Sequence, residues 1–290
     1  MADDGNRARR SFADRVADMM RATLGGDPQG WFIPYRYRST VAVPAPAPGV
    51  AYPAIAGLFR DARSDFLAVL DRVADCRAGL LAIGADNDTD RPRWRQDWFS
   101  GLDAAVMYAQ VCHLRPRRIV EIGSGHSTRF ILRALADAGV DTDMTAIDPA
   151  PRADIAELPI RLVREVVQQA PADVFAALTA GDVLSIDSSH VLMPGSDVDH
   201  LLNVVIPMLP AGVAVHIHDM FLPGGYPVEW DLRGYNEQNG IAPLLTGGRL
   251  RPLFASRYAL DHMPLETAER AGFIPRPVPV METSLWAETR

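Results

Sequence analysis

A tight glycine turn constrains the fold of this 290-residue chain more than any other feature. The turn has the pattern Gly-x-Gly, at Gly123 and Gly125, and it follows the strand-like run 118–122. The run behind it, 129–135, has the spacing of an amphipathic helix. In such a strand–turn–helix unit, glycine lets the backbone approach a ligand, and the helix start offers unpaired N–H groups. The segment therefore predicts a nucleotide-like ligand at this helix start.

Strand-like and helix-like segments alternate from residue 117 onward. The predicted strands are 119–122, 144–148, 160–163, 182–187, 213–219, 251–259 and 283–287. Helices are predicted between several of them, and this alternation predicts a parallel, doubly wound sheet whose strand ends share one ligand-binding edge. The last two strands are expected to pair antiparallel with each other. The predicted fold is thus α/β and Rossmann-like, with a seven-stranded sheet that is mostly parallel and has an antiparallel final strand.

The first 113 residues have a different texture, because their apolar residues recur at helical spacing without intervening strands. Helices are predicted over 12–24 and 102–113, and the apolar stripe over 55–83 predicts one long helix or two. We therefore expect a mainly helical N-terminal cap, residues 1–113, and a cofactor-binding domain, residues 114–290.

Charge and cysteine content narrow the expected surroundings and partners. The formal net charge of −7 argues against a nucleic-acid partner held by phosphate contacts. Cys76 and Cys112 have neither the number nor the spacing of a disulfide framework or a metal site, which fits a reducing compartment. No signal peptide and no membrane-length apolar run occurs. We expect a cytoplasmic protein with a small-molecule partner and no membrane partner, and homo-oligomer formation is left open.

Two cofactor classes compete for the glycine turn. A dinucleotide turn has a third glycine, Gly-x-Gly-x-x-Gly, but Thr128 stands at that position here. The pattern Glu121-x-Gly123-x-Gly125 at the end of the first strand instead resembles the class I methyltransferases, which use S-adenosylmethionine. An acidic residue at the end of the second strand, Asp148, fits both classes.

Two further motifs narrow the resemblance. The segments Asp187-Ser188-Ser189-His190 and His216-Ile217-His218-Asp219, each at a predicted strand end, resemble the methyltransferase-24 type of bacterial small-molecule and sugar O-methyltransferases. The resemblance implies that Glu121 holds the ammonium group of the cofactor, Ser127 its carboxylate and Asp148 its ribose hydroxyls. For Asp148, a turn or cap before Pro149 is the structural alternative. The implied cofactor contacts are Glu121, Gly123, Ser124, Gly125, Ser127, Asp148 and Asp187.

The acids and histidines at the fourth and fifth strand ends predict the chemistry. Methyl transfer to a hydroxyl requires removal of a proton, and His190, three residues after Asp187, is the expected general base. Asp187 and His218 are expected to assist. The related sugar O-methyltransferases hold magnesium at these strand ends, which implies a site for Mg²⁺ or another divalent metal at Asp187, His218 and Asp219. A hydrogen-bonded pair that shapes the loop is the alternative for His218 and Asp219.

The predicted function is therefore S-adenosylmethionine-dependent methylation of a small-molecule hydroxyl, in a sugar or a natural product. Two alternatives stay open: an NAD(P)-dependent Rossmann oxidoreductase, and a cofactor-binding partner protein without catalysis. Asn236 and Glu237 open a predicted helix near the same edge, where they either cap the helix or bind the acceptor.

Overall fold

A computed structural model describes residues 12–24, 52–84, 91–99, 101–151, 155–276 and 280–290. The chain divides into two compact units, Met1–Pro44 and Ala45–Arg290. The first contains helix α1, Phe12–Leu24, which confirms the helix predicted there. The second contains every other helix and strand described below.

The second unit is built on one seven-stranded sheet. Its strands are β1 (Arg118–Ile122), β2 (Asp143–Ile147), β3 (Arg161–Val163), β4 (Val183–Ile186), β5 (Ala214–Ile217), β6 (Leu250–Ala255) and β7 (Leu285–Thr289). They lie in the order β3-β2-β1-β4-β5-β7-β6. The first five run parallel, and β7 is antiparallel to both β5 and β6. The Rossmann-like, mostly parallel sheet predicted from the sequence is confirmed.

The helices of this unit precede, separate and follow the strands along the chain. They are α2 (Pro53–Asp61), α3 (Arg63–Asp75), α4 (Arg77–Leu81), α5 (Gly101–Leu114), α6 (His126–Ala138), α7 (Ala172–Ala176), α8 (Asp197–His200), α9 (Ile206–Met208), α10 (Glu237–Thr246), α11 (Ser256–His262) and α12 (Pro264–Ala271). A π-helical turn, Leu201–Val205, joins α8 to α9. Pro207 in α9 has no N–H to donate, which accounts for a local departure from α-helical bonding there.

Two predicted elements differ from the structure. The stripe over 55–83 forms three helices rather than one or two, because the backbone leaves helical geometry at Ala62 and again at Cys76, where ψ is near zero. The sixth strand was predicted to reach residue 259 but ends at Ala255, and helix α11 begins at Ser256. Ala255 pairs with Leu285, the first residue of β7, so the residues beyond it have no strand partner.

Helix α5 connects the helical part of the second unit to its sheet. Every residue from Gly101 to Val111 is buried, as expected for a helix that is apolar on most sides. Side chains of α2, α3 and α5 share one apolar core with the strands. Whether 1–113 and 114–290 act as separate domains stays a prediction. No helix in the described part of the chain is long and apolar enough to cross a membrane.

The register of the sheet determines which residues meet at its edge. The aligned ends of β2, β1, β4 and β5 are Ile147, Ile122, Ile186 and Ile217. The residues that follow these four strand ends are, in the same order, Asp148, Gly123, Asp187 and His218. The predicted site residues therefore share one edge.

Candidate active site

The glycine turn lies against the end of β4. Gly123 has φ +73°, and a Cβ built on it would stand 2.1 Å from the carbonyl oxygen of Asp187. The Gly123 N–H donates to the oxygen of Ile147 at 3.0 Å, and the Asp187 N–H donates to that of Ile122 at 2.8 Å. A Cβ on Gly125 would meet no atom within 4 Å. Gly123 is thus required by the fold itself, whereas Gly125 leaves open space at the start of α6.

Glu121 is a buried carboxylate tied to the first turn of α6. The hydroxyls of Ser127 and Thr128 donate to its two oxygens at 2.7 and 2.6 Å, and Thr128 in turn accepts the Gly125 N–H at 2.9 Å. Burial raises the pKa of Glu121 to about 7 and outweighs the two hydroxyl bonds, which lower it. An acid that changes its charge near neutral pH therefore lies beside the start of α6.

Asp148 is bonded to the glycine turn and to its own loop. One oxygen accepts both the N–H and the hydroxyl of Ser124, each at 2.8 Å. The other accepts the N–H of Ala150 at 2.9 Å. Asp148 therefore has the turn role that the sequence offered as the alternative to ribose binding. A carboxylate has about four acceptor positions, so these bonds leave capacity for a ligand hydroxyl.

An acid–histidine cluster fills the edge beyond the turn, with His190 at its centre. The Nδ1 of His190 lies 2.8 Å from Glu237 Oε2. Its Nε2 lies 3.2 Å from an oxygen of Asp187 and 3.4 Å from one of Asp219. Both ring nitrogens thus face carboxylates, which come from β4, β5 and α10. Asp187 is the open member, because its side chain is 40% exposed and that of His190 only 5%.

The cluster continues through His218 into the core. Its Nδ1 lies 3.6 Å from Asp187 and from Asp219, and its Nε2 lies 3.4 Å from Asp103. Asp103, on α5, is 1% exposed and accepts the N–H groups of Thr283 and Ser284 at 2.7 and 2.9 Å. The loop before β7 is therefore held by the same acid that faces His218.

The charges in the cluster shift each other's ionisation. Burial lowers the pKa of His190, but its contacts with Asp187 and Glu237 and the charges of Glu237 and Asp219 outweigh burial, so the net pKa lies well above its ordinary value. The pKa of His218 is raised in the same way, against burial, by Asp219, Asp187 and Asp103. Asp187 responds oppositely: burial raises its pKa, but the two histidines hold it well below the usual range.

Two members of the cluster adopt an unusual backbone conformation. His190 has φ +61° and Asp219 has φ +58°, in the left-handed region that residues with a Cβ rarely occupy. Such conformations cost free energy and persist only where the surrounding contacts require them. The side chains of these two residues lie 3.4 Å apart, which indicates that the contacts of the cluster hold both backbones in this conformation.

The predicted metal ligands do not fit a metal ion in this arrangement. The Nε2 of His190, which is not in the predicted ligand set, lies 3.2 Å from Asp187 and 3.4 Å from Asp219, where it supplies the positive charge that a cation would otherwise provide. Among the residues that the structure describes, no three His, Cys, Asp or Glu side chains are arranged to hold a metal. Structural support for the predicted metal set is therefore lacking.

An aromatic group borders the cluster on the loop after β5. The ring of Tyr235 lies 4.6 Å from that of His190. Trp230 contacts Tyr235 edge to face at 5.6 Å, and the guanidinium of Arg233 lies 3.8 Å above Trp230. Tyr226 lies parallel to Trp230 at 6.3 Å. Rings therefore cover one side of His190.

His216 is a core histidine whose ring nitrogens both have hydrogen-bond partners. It is fully buried, with its ring nitrogens 2.9 Å from the hydroxyls of Ser185 and Ser284. Burial lowers its pKa to about 3, so it stays neutral. It therefore takes no part in the charged cluster, although it lies only two residues from His218.

Sequence reasoning missed Asp103 and did not connect Glu237 to His190. The signal for Asp103 was an acid inside the otherwise apolar run 102–107. Glu237 was expected to cap a helix or bind the acceptor, and nothing in the local sequence pointed to a histidine 47 residues earlier.

Comparison with known proteins supplies the class. The model of a methyltransferase domain family matches residues 120–220, which run from β1 past the end of β5. The matched residues make up about a third of the chain, and the match confirms the predicted resemblance to methyltransferases and the predicted type of enzyme, a methyltransferase. The search of curated proteins found no match to the chain.

Several solved structures are similar to this methyltransferase at low identity. A methyltransferase from Podospora anserina bound to S-adenosylhomocysteine is 14% identical, with 90% of this chain and 99% of that chain covered, at a TM-score of 0.42. A putative O-methyltransferase from Klebsiella pneumoniae is 13% identical, with 77% and 90% covered, at 0.40. A putative methyltransferase from Thermobifida fusca is 14% identical, with 76% and 94% covered, at 0.39. Scores this low do not support conclusions about the acceptor.

Proposed function

We propose that this methyltransferase transfers the methyl group of S-adenosylmethionine to a hydroxyl oxygen of a small molecule, with His190 as general base. One observation carries the proposal. A buried histidine, bonded through Nδ1 to Glu237, directs Nε2 toward the half-buried Asp187. Asp187 also lies against the glycine turn through its carbonyl oxygen, so a base and a cofactor turn adjoin.

The cofactor positions follow from the contacts of the turn. The buried carboxylate of Glu121 suits the ammonium group, and the start of α6 suits the carboxylate. Ser127 donates to Glu121, so its hydroxyl orients that acid as well as adjoining the ligand. Asp148 is the proposed ribose partner, with Ser124 holding one of its oxygens. Open space above Gly125 gives the cofactor room to approach the backbone.

The reaction is an in-line displacement. The acceptor oxygen forms a bond to the methyl carbon as the bond from that carbon to sulfur breaks. The electron pair of the broken bond stays on sulfur, which becomes a neutral thioether. The hydroxyl proton passes to Nε2 of His190. The chain supplies alignment, worth several powers of ten in rate, and proton removal, typically worth about 10²–10⁴. The acids Asp187 and Asp219 favour the positive charge that His190 then carries.

Cofactor binding should depend on pH through Glu121. Its pKa in the free protein is about 7, and the ammonium group of the cofactor pairs with the ionised form. Affinity for S-adenosylmethionine should therefore rise as pH increases through about 7 and weaken below it. Isothermal titration from pH 5.5 to 8.5 measures this. Glu121→Gln should weaken binding roughly tenfold at pH 8 and remove this pH dependence, because a buried ion pair is lost.

The control is Glu269→Gln, at an exposed acid on α12. It should bind the cofactor as the wild type does. An unchanged affinity in Glu121→Gln would show that the ammonium group binds elsewhere. A thermal-shift comparison with NAD(H) tests the oxidoreductase alternative, which requires stabilisation by the dinucleotide.

The acceptor class is tested with a panel of monosaccharides, phenols and hydroxylated natural products and methyl-labelled S-adenosylmethionine. The expected result is label on an acceptor oxygen, located by mass spectrometry, and turnover that persists in excess chelator because the cluster does not fit a metal. Label on nitrogen or carbon contradicts the proposal. Loss of turnover in chelator would instead support the predicted metal site at Asp187, His218 and Asp219. Binding without turnover across the panel favours the non-catalytic alternative.

A further inference from the structure

We propose that Glu237 is a positioning residue that holds the N–H of His190 on Nδ1, so that Nε2 presents its lone pair to the acceptor. The inference rests on the proposed methyl transfer, because it assigns a role within the same site. The contact that motivates it joins His190 Nδ1 to Glu237 Oε2 at 2.8 Å, the shortest in the acid–histidine cluster.

Burial makes this contact selective. Glu237 is 0% exposed, and a buried carboxylate without a close donor is costly. Its other neighbour is the hydroxyl of Ser188, at 3.4 and 3.5 Å from the two oxygens, which is a weak contact. The imidazole N–H is therefore the donor on which this acid depends, and moving that proton to Nε2 would leave Glu237 without a strong partner.

The two carboxylates that face Nε2 favour the tautomer with the proton on Nε2, but more weakly than Glu237 favours the proton on Nδ1. Asp187 and Asp219 lie 3.2 and 3.4 Å from Nε2, and Asp187 is open to water. Water can solvate Asp187 when Nε2 gives up its proton, whereas Glu237 has no such access. The difference in burial thus decides which nitrogen keeps the proton in the neutral ring.

The backbone reinforces the same pairing. The N–H groups of Asn236 and Glu237 both donate to the carbonyl oxygen of His190, at 3.0 and 3.2 Å. The Asn236 side chain accepts the Leu192 N–H at 2.6 Å and donates to the Leu192 oxygen at 3.3 Å. The start of α10 therefore fixes the His190 loop and, through Glu237, the ring. This arrangement accounts for the left-handed backbone of His190, which these bonds stabilise.

The kinetic test compares Glu237→Gln, His190→Gln and the double variant, with the acceptor that the panel identifies. Glu237→Gln keeps the size of the side chain but removes its charge, so kcat should fall about 10²–10⁴-fold, as expected when a histidine base loses the acid that orients it. The KM for the acceptor and the Kd for the cofactor should change less than about threefold. In the double variant, the Glu237 substitution should add almost nothing, because its effect acts through His190.

A different pattern overturns the inference. Additive losses in the double variant indicate a structural role, and a raised KM with normal kcat indicates that Glu237 binds the acceptor. Glu269→Gln, at a distant exposed acid, is the matched control and should keep wild-type values.

A second measurement does not depend on turnover. Proton–nitrogen correlation spectra of the wild-type protein, recorded at a pH where His190 is neutral, should show its proton on Nδ1. The His190 signals are assigned by their loss in His190→Gln. A proton on Nε2 contradicts the inference. If no acceptor is methylated but the proton lies on Nδ1, the proposed function fails while the positioning contact stands.

Discussion

Gly123→Ala should destabilise the protein more than any other single methyl addition at the glycine turn. The left-handed conformation costs a residue with a Cβ about 1–2 kcal/mol, and forcing a methyl into a filled space typically costs another 1–3 kcal/mol. The new Cβ would stand 2.1 Å from the backbone oxygen of Asp187, which cannot rotate away as a side chain would. We therefore expect a loss of about 2–5 kcal/mol in the free energy of unfolding, measured by urea denaturation.

Gly125→Ala is the matched control. Its Cβ meets no atom within 4 Å, and its φ of 162° is extended backbone. Alanine at a helix N-cap costs about 1 kcal/mol, so the variant should stay folded. It should nevertheless bind S-adenosylmethionine at least tenfold more weakly, because the methyl group fills the proposed path of the cofactor. Normal affinity would mean that the cofactor does not approach this backbone, and normal stability of Gly123→Ala would contradict the close contact between β1 and β4.

The sheet was predictable because its signal is local. Each parallel strand is a short apolar run bounded by turn residues, and the strand ends carry the glycines and acids that bind ligands. Right-handed crossovers then place those ends on one edge. The alignment of Ile122, Ile147 and Ile186 agrees with that rule. The break of the 55–83 stripe into three helices was not predictable in this way, since Ala62 and Cys76 are not helix breakers by residue type.

The charged cluster was only half predictable, and the reason is distance along the chain. Asp187, His190, His218 and Asp219 lie in two short segments whose adjacency follows from strand order. Asp103 reaches the site on α5, and its backbone partners lie 180 and 181 residues later. No pattern within one segment encodes such a meeting. It depends on how α5 packs against the sheet, which the residue spacing does not specify.

The sequence predicts His190 as the general base, and the structure adds that its pKa is raised. An isolated histidine is mostly neutral at pH 7, but Asp187 and Asp219 face its Nε2, and Glu237 faces its Nδ1. His218 bears on it indirectly, since it contacts the same two aspartates. The raised pKa favours the protonated form of His190 in the free enzyme, compared with an isolated histidine. A base of this kind is strong once deprotonated, but only part of the enzyme carries it in that form.

His190→Gln should therefore remove turnover and also change its dependence on pH. In the wild type, kcat/KM should rise about tenfold per pH unit below the raised pKa and level off above it, because only the neutral imidazole accepts the hydroxyl proton. In His190→Gln, kcat should fall about 10²–10⁴-fold and this acid limb should disappear, while cofactor affinity stays normal. His262→Gln, at an exposed histidine on α11, is the control and should keep the wild-type profile. An acid limb that persists at the same midpoint in His190→Gln would assign the base to another group.

The free energy of unfolding should fall with pH over the range in which activity rises, which gives an independent check. Because the folded pKa of His190 lies above the unfolded value of about 6.5, its contacts stabilise the fold fully below that pH. This contribution is lost as pH rises through the folded pKa, over the same range in which activity appears. Urea denaturation across that range should show a falling free energy of unfolding in the wild type and a shallower fall in His190→Gln. Equal slopes would show that the acids around His190 do not hold its proton, and that its base strength must be set in another way.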